Sequence, residues 1–319
     1  MSAPCIICGN TQNNTSFEVQ EHQMGIGHLF HYQQCGACHS AQLLDPPADF
    51  APYYQNDNYY SFHLELRLEQ NIVRKIQTGH ILFGKYPIIG HLLTLGYTVN
   101  EFIDWMKNAG AQYDDAILDV GTGNGSLLTK LYQAGFRDLT GIDPFIEKEV
   151  SYDNVRIERK SIFDVTRQYD LVMMHHSLEH MPDPKAALRK AFEIIKPGKT
   201  LLVRIPIMNN YGWRTYGRYW CGLDAPRHIF IPSEQGLKQM AEEAGFVVDK
   251  FYYDSFDYVV WCSEQYKQNI ALNAPNSWMV NKEKSLFTKE QVKSFRQMMK
   301  QRNKAMDGDM GALYLKKPL

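Results

Sequence analysis

Residues Ala116 to Gly125 read AILDVGTGNG. An apolar run consistent with a buried strand meets Asp119, and Gly121, Gly123 and Gly125 then alternate with Thr122 and Asn124. The next segment, SLLTKLYQAG, has helical periodicity. The stretch therefore predicts strand, glycine loop and helix. A loop with so few side chains lets backbone approach a ligand, and the helix start behind it presents N–H groups to a carboxylate or phosphate.

Asp143, in LTGIDP, follows Gly125 by 18 positions. In dinucleotide-binding folds a carboxylate about 20 residues on ends the second strand and takes the ribose hydroxyls. An adenosine-type ligand is expected. A nicotinamide or flavin fingerprint reads G-x-G-x-x-G, whereas Ser126 stands here where its last glycine would be. The spacing favours a ligand without pyrophosphate.

DVGTGNG, GIDPF, YDLVMMHHSLEHMPDP, IIKPGKTLLVRIP and EEAGF follow one another over Ala116 to about Ser255. In that order they resemble the successive motifs of class I S-adenosylmethionine-dependent methyltransferases. The resemblance implies an α/β, Rossmann-like sheet with helices on both faces. It also implies a cofactor site of Asp119, Gly121, Thr122, Gly123, Asn124, Gly125, Asp143 and Pro144, with Ser161 and Ile162 at the adenine and His175 at the methionine half. The acid usual at the adenine turn is absent from Ser161, so Asp164 either replaces it or faces solvent.

Hydrophobic content of 44%, charged content of 22% and a net charge of -1 describe an ordinary folded chain without a general basic field. Phosphate-driven nucleic-acid binding is not expected. Met1 to Asn10 lacks a basic start and a long apolar run, and ILFGKYPIIGHLLTLGY is broken by Lys85, Pro87 and His91. No signal peptide or membrane span is expected, and a cytoplasmic setting is.

Cys5-x-x-Cys8 and Cys35-x-x-Cys38, with 26 residues between them, have the spacing of a closed, structural zinc site, a zinc ribbon. EVQEHQM and LFHYQQC alternate enough to be its strands. Cys221 and Cys262 stand alone and read as small buried hydrophobes.

The expected organisation is a ribbon over 1–45, an aromatic linker and helical arm or lid over 46–110, the Rossmann-like domain over 111–255 and a helical extension over 256–319. LLDPPADF marks the first boundary. Tyr59 and Tyr60, in a tyrosine-dense stretch, are candidates for an acceptor pocket or an interdomain joint. The extension reads as a packing arm or homo-oligomer contact.

His176, at the end of the predicted fourth strand, is a candidate general base, and His228 is its rival. Glu179 and His180 read as capping or structural residues as much as functional ones. The long connection WRTYGRYWCGLDAPRHIFIPSEQGLKQM is expected to form the acceptor wall through Tyr219, Trp220, Asp224 and Arg227. A ribbon ahead of such a domain also resembles bacterial sugar-modifying methyltransferases, which implies a small-molecule acceptor, a sugar or glycan precursor. The competing readings are a nicotinamide-dependent oxidoreductase or epimerase, and a non-catalytic binding module.

Overall fold

The computed structural model describes residues 3–54, 69, 71–95 and 101–319. Tyr59 and Tyr60 lie outside the described residues. The chain opens with β1 (Thr15–Gln20), β2 (Leu29–Gln34) and β3 (Ala41–Leu43), followed by α1 (Ile72–Phe83), α2 (Pro87–Thr94) and α3 (Glu101–Ala109). The glycine-loop unit is β4 (Ala116–Val120) and α4 (Ser126–Ala134). Then come β5 (Asp138–Ile142), β6 (Val150–Tyr152), β7 (Val155–Glu158), β8 (Tyr169–His175), α5 (Pro184–Ile194) and β9 (Ile195–Pro206). After α6 (Tyr211–Tyr216) and β10 (Phe230–Ile231) the chain forms α7 (Glu234–Glu243), β11 (Val247–Tyr253), α8 (Tyr258–Lys267), α9 (Lys289–Lys304) and β12 (Met310–Lys316).

The larger sheet has the order β11-β12-β9-β8-β4-β5-β7-β6. Its centre is parallel, and all five residues of β4 are buried, as a strand covered on both faces requires. From β4 the chain builds outward through β5 to β7 and then returns to place β8 on the other side of β4. The carboxyl ends of β4 and β8 thus flank the switch in strand order, where open α/β sheets bind ligands.

Two expectations are corrected here. The segment 256–319 is not a helical extension throughout: β12 enters the sheet between β9 and β11, antiparallel to both. Its ALYL core is wholly buried, so the last strand of the fold comes from the chain's end. Nor is α3 part of a lid. Phe102, Ile103 and Met106 bury themselves in the same cluster as Ile117 of β4 and Leu171 of β8, and removing three such side chains from water contributes roughly 1.5–3 kcal/mol each.

The N-terminal sheet is β1-β2-β3-β10, and its fourth strand comes from the long connection after β9. Ile7, Cys5, Cys35 and Cys38 share a core cluster with Phe230 and Leu237. The ribbon is therefore welded to the Rossmann-like body through the loop that carries His228.

Candidate active site

The glycine loop is shaped by backbone that a side chain would oppose. Gly121, Gly123 and Gly125 have φ of 76°, 50° and 69°, in the left-handed region. A Cβ on Gly121 would also stand 2.5 Å from Cβ of Ser177, so the loop and the turn after β8 are in close contact. Asp143 clamps the loop: Gly123 N–H donates to its Oδ2 at 3.2 Å and Phe145 N–H to its Oδ1 at 2.9 Å. Burial raises the Asp143 carboxyl above its ordinary range, against these two N–H groups. Asp119, at the end of β4, is buried, and its carboxyl is pushed up to about 7 by burial, with the negative charge of Asp143 adding to the shift.

At the adenine turn, Ser161 caps a short 3₁₀ turn over Ile162–Asp164, and Ile162 is buried. Asp164 is exposed, and its Oδ2 accepts the Ser161 N–H at 3.1 Å, which closes the capping box of this turn. Pro144 is exposed beside the Asp143 clamp, and Asn124 accepts the Ser126 N–H at the start of α4, 3.1 Å.

His175 ends β8 with its ring centroid 4.5 Å from that of Trp105, on α3. Trp105 Nε1 and Arg204 Nε both donate to Asp254 Oδ2, at 3.1 and 2.7 Å, and the guanidinium lies over the indole. Burial, with the Arg204 charge beside it, holds the His175 imidazole well below its ordinary pKa, so the ring is neutral. Nothing local marks Trp105 as a site residue, because it reaches His175 through the packing of α3 and its bond to Asp254.

Beyond His175 the turn carries the second half of the site. His176 takes φ 52° and is exposed, with Nδ1 3.5 Å from Glu179 Oε1. Glu179 has 0% exposure, and neither carboxylate oxygen has a hydrogen-bond partner among the described residues. Burial opposes its ionisation, but the neighbouring histidines outweigh this and hold the carboxyl below its ordinary range. His228 Nε2 lies 3.9 Å from the same oxygen, and the His180 and His228 rings meet edge to face. The two candidate bases thus stand around one buried carboxylate, and the residues read as capping are at its centre.

The acceptor-wall expectation fares unevenly. Trp220 is 1% exposed, packs on Gly212 and Gly222, and donates to Asp309 Oδ2 at 3.1 Å, so it is a core residue. Arg227, also 1% exposed, is held by Asp224, Glu21 and the Tyr53 carbonyl, and it shapes the His228 loop from behind. Asp224 is half-buried within that fork, with one oxygen 3.7 Å from His228 Nε2. Tyr219 is half-buried against Arg218 and His22. Tyr54 connects the two halves of the site: its ring stacks 6.4 Å from Phe145, beside Asp143, and its hydroxyl is 3.4 Å from His180 Nδ1.

A protein-family profile described as a methyltransferase domain matches residues 97–250. Those residues are a class I S-adenosylmethionine-dependent methyltransferase domain. Ubiquinone biosynthesis O-methyltransferase of Bordetella avium is 33% identical over 110 residues, 30% of this chain and 45% of that protein. Human EEF1A lysine methyltransferase 2 is 30% identical over 105 residues, 30% of this chain and 42% of that protein. The chain spans about half the length of the curated relatives it matches. A solved putative methyltransferase from Bacillus halodurans C-125 aligns with a TM-score of 0.44 at 16% identity, covering 69% of this chain and 99% of that one. The matched residues include α3, which packs on β4 and β8. No helix among the described residues is long and apolar enough to cross a membrane.

The four knuckle cysteines bring their sulfurs together, with Cys5 Sγ 3.6 Å from Cys38 Sγ and Cys8 Sγ 3.5 Å from Cys35 Sγ. None of the four is joined in a disulfide. Zn–S bonds of about 2.3 Å in a tetrahedron place sulfurs about 3.8 Å apart, so the cluster fits a closed four-thiolate ion site. Cys221 and Cys262 are buried in the apolar cluster around Trp220.

Proposed function

We propose that the chain transfers a methyl group from S-adenosylmethionine to a hydroxyl or acidic carbon of a small molecule, a sugar or glycan precursor. The observation that carries this reading is the clamped glycine loop packed on the turn that bears His176 and Glu179. When bound, S-adenosylmethionine supplies an electrophilic methyl on its sulfonium.

The residues present fit that donor. The loop N–H groups and Asp119 would receive its amino-acid end, Asp143 its ribose and the Ser161–Ile162 turn its base. Gly121, Gly123 and Gly125 turn the loop at positive φ without a side chain in it, and the neutral His175 has a buried Nε2 with no hydrogen-bond partner among the described residues. His176 Nε2 would take the acceptor proton, and the Glu179 carboxylate, 3.5 Å from Nδ1, would stabilise the charge that the ring gains. With donor and acceptor bound, His176 would receive the proton that the acceptor loses as it takes the methyl group. Much of the rate would come from alignment.

The thiol cluster holds a structural zinc ion in this reading, and its role is to fix the ribbon against the His228 loop. The sugar acceptor is supported by the likeness of the cysteine knuckles and the DAPRH stretch to sugar-modifying enzymes. Incubation with radiolabelled S-adenosylmethionine and a panel of nucleotide-linked sugars tests the proposal. Label transferred to a sugar, and lost with His176→Ala, is the expected result. Failure to bind S-adenosylhomocysteine in calorimetry would overturn it.

A further inference from the structure

Glu179, His180 and His228 each place a ligand atom within 4.8 Å of the other two. The histidines are turned the same way. His180 Nδ1 is 2.8 Å from the Arg227 carbonyl oxygen, and His228 Nδ1 is 2.9 Å from that of Gly222. A carbonyl can only accept, so each Nδ1 carries the proton and each Nε2 keeps a lone pair. Histidines that bind metals are held in this manner by a partner on the far nitrogen.

Between them lies the Glu179 carboxylate, wholly buried and without a hydrogen bond to either oxygen among the described residues. A buried carboxylate is costly unless a cation or donors answer it. The nearest imidazole nitrogens, His176 Nδ1 at 3.5 Å and His228 Nε2 at 3.9 Å, are too far for hydrogen bonds. Ligand bonds of about 2.0–2.2 Å set tetrahedral donors roughly 3.3–3.6 Å apart. Small side-chain rotations close the difference.

We propose that Glu179, His180 and His228 bind one divalent transition-metal ion, separate from the four-cysteine cluster. Two imidazoles and a carboxylate suit zinc, cobalt, iron or manganese, and three protein ligands leave coordination positions open. His180 is the half-buried member and gives the cluster its approach. The ion would stand beside the glycine loop, because Ser177 of the same turn abuts Gly121. Its role rests on the methyl-transfer reading: an acceptor hydroxyl on an open position becomes easier to deprotonate, with His176 alongside to receive the proton.

The test is a Co²⁺ titration of protein loaded with one equivalent of zinc, which the four thiolates take first; cobalt binds more weakly than zinc and leaves the thiolates occupied while the second site stays open to it. One equivalent should bind with the ligand-field absorption of nitrogen and oxygen donors and without thiolate charge transfer. His180→Ala and His228→Ala should each weaken uptake at least about tenfold. Glu179→Gln, which keeps the side chain's shape, should do the same while retaining the near-ultraviolet circular dichroism and S-adenosylhomocysteine affinity of the unsubstituted protein. No cobalt uptake, as for a plain histidine–carboxylate pair, or uptake unchanged by all three substitutions, overturns the site. Binding of S-adenosylhomocysteine without cobalt defeats the metal site alone. Cobalt uptake without it defeats the methyl-transfer reading alone.

Discussion

The Tyr32 hydroxyl, buried in the ribbon sheet, donates a 2.8 Å hydrogen bond to the main-chain carbonyl of His228, 196 positions later. Burial raises the phenol's pKa well above its ordinary value, so it remains a donor. This bond ties the ribbon to the loop that carries one of the site histidines. Tyr32→Phe leaves a buried carbonyl unanswered and should lower unfolding free energy by about 1–3 kcal/mol in urea. Affinity for S-adenosylhomocysteine should not change in calorimetry, because Tyr32 packs in the cluster around Trp220 and Ile231 and not in those that hold β4.

Cys38→Ser should remove one zinc per chain in elemental analysis. The consequence should reach past the ribbon: β3 pairs with β10 at Gln42–Phe230 and Ala41–Ile231. Hydrogen-exchange protection at Phe230 and Ile231 should fall, while that of β4 persists. Equal protection in both proteins would mean that β10 is held by the Rossmann-like body alone.

Asp143→Ala removes the acceptor for the Gly123 and Phe145 N–H groups as well as the carboxylate proposed to hold the ribose. Binding of S-adenosylhomocysteine should weaken by on the order of 1.5–3 kcal/mol. Calorimetry decides the matter, and unchanged affinity would place the ribose elsewhere.

Asp119 should make stability depend on pH in the ligand-free protein. Its folded-state pKa, pushed up to about 7 by burial, exceeds the unfolded value of about 3.9. The folded state therefore binds this proton more tightly. The group's favourable contribution is complete below the unfolded pKa and is lost as pH rises through about 7. Asp119→Asn should flatten that part of the urea midpoint against pH. A donor ammonium placed beside Asp119 would favour the ionised form, so S-adenosylhomocysteine binding at about pH 6 should release protons, visible as a buffer-dependent heat.

What could be read in the sequence is what neighbouring residues impose on one another. Three alternating glycines after an apolar run favour positive φ and a tight turn, and cysteines with two residues between them converge by the geometry of a knuckle. The strand–loop–helix unit, the thiol cluster and the end of β8 were legible for that reason. The C-terminal strand was not, since the buried ALYL run in β12 becomes a sheet element only once β9 and β11 leave a gap of the right width between them.

The same division runs through the site. By itself, the sequence determined a glycine cradle with an aspartate behind it, because those demands are met within a few dozen residues of chain. Only the tertiary structure decided that Glu179 would be buried, that Trp220 and Arg227 would turn inward, and that Trp105 would lie against His175. Side-chain burial depends on which distant surface covers it. Here that surface is the His228 loop, carried to Glu179 by its pairing with the ribbon and by the Ile229 N–H, which donates to the Glu179 carbonyl at 2.9 Å.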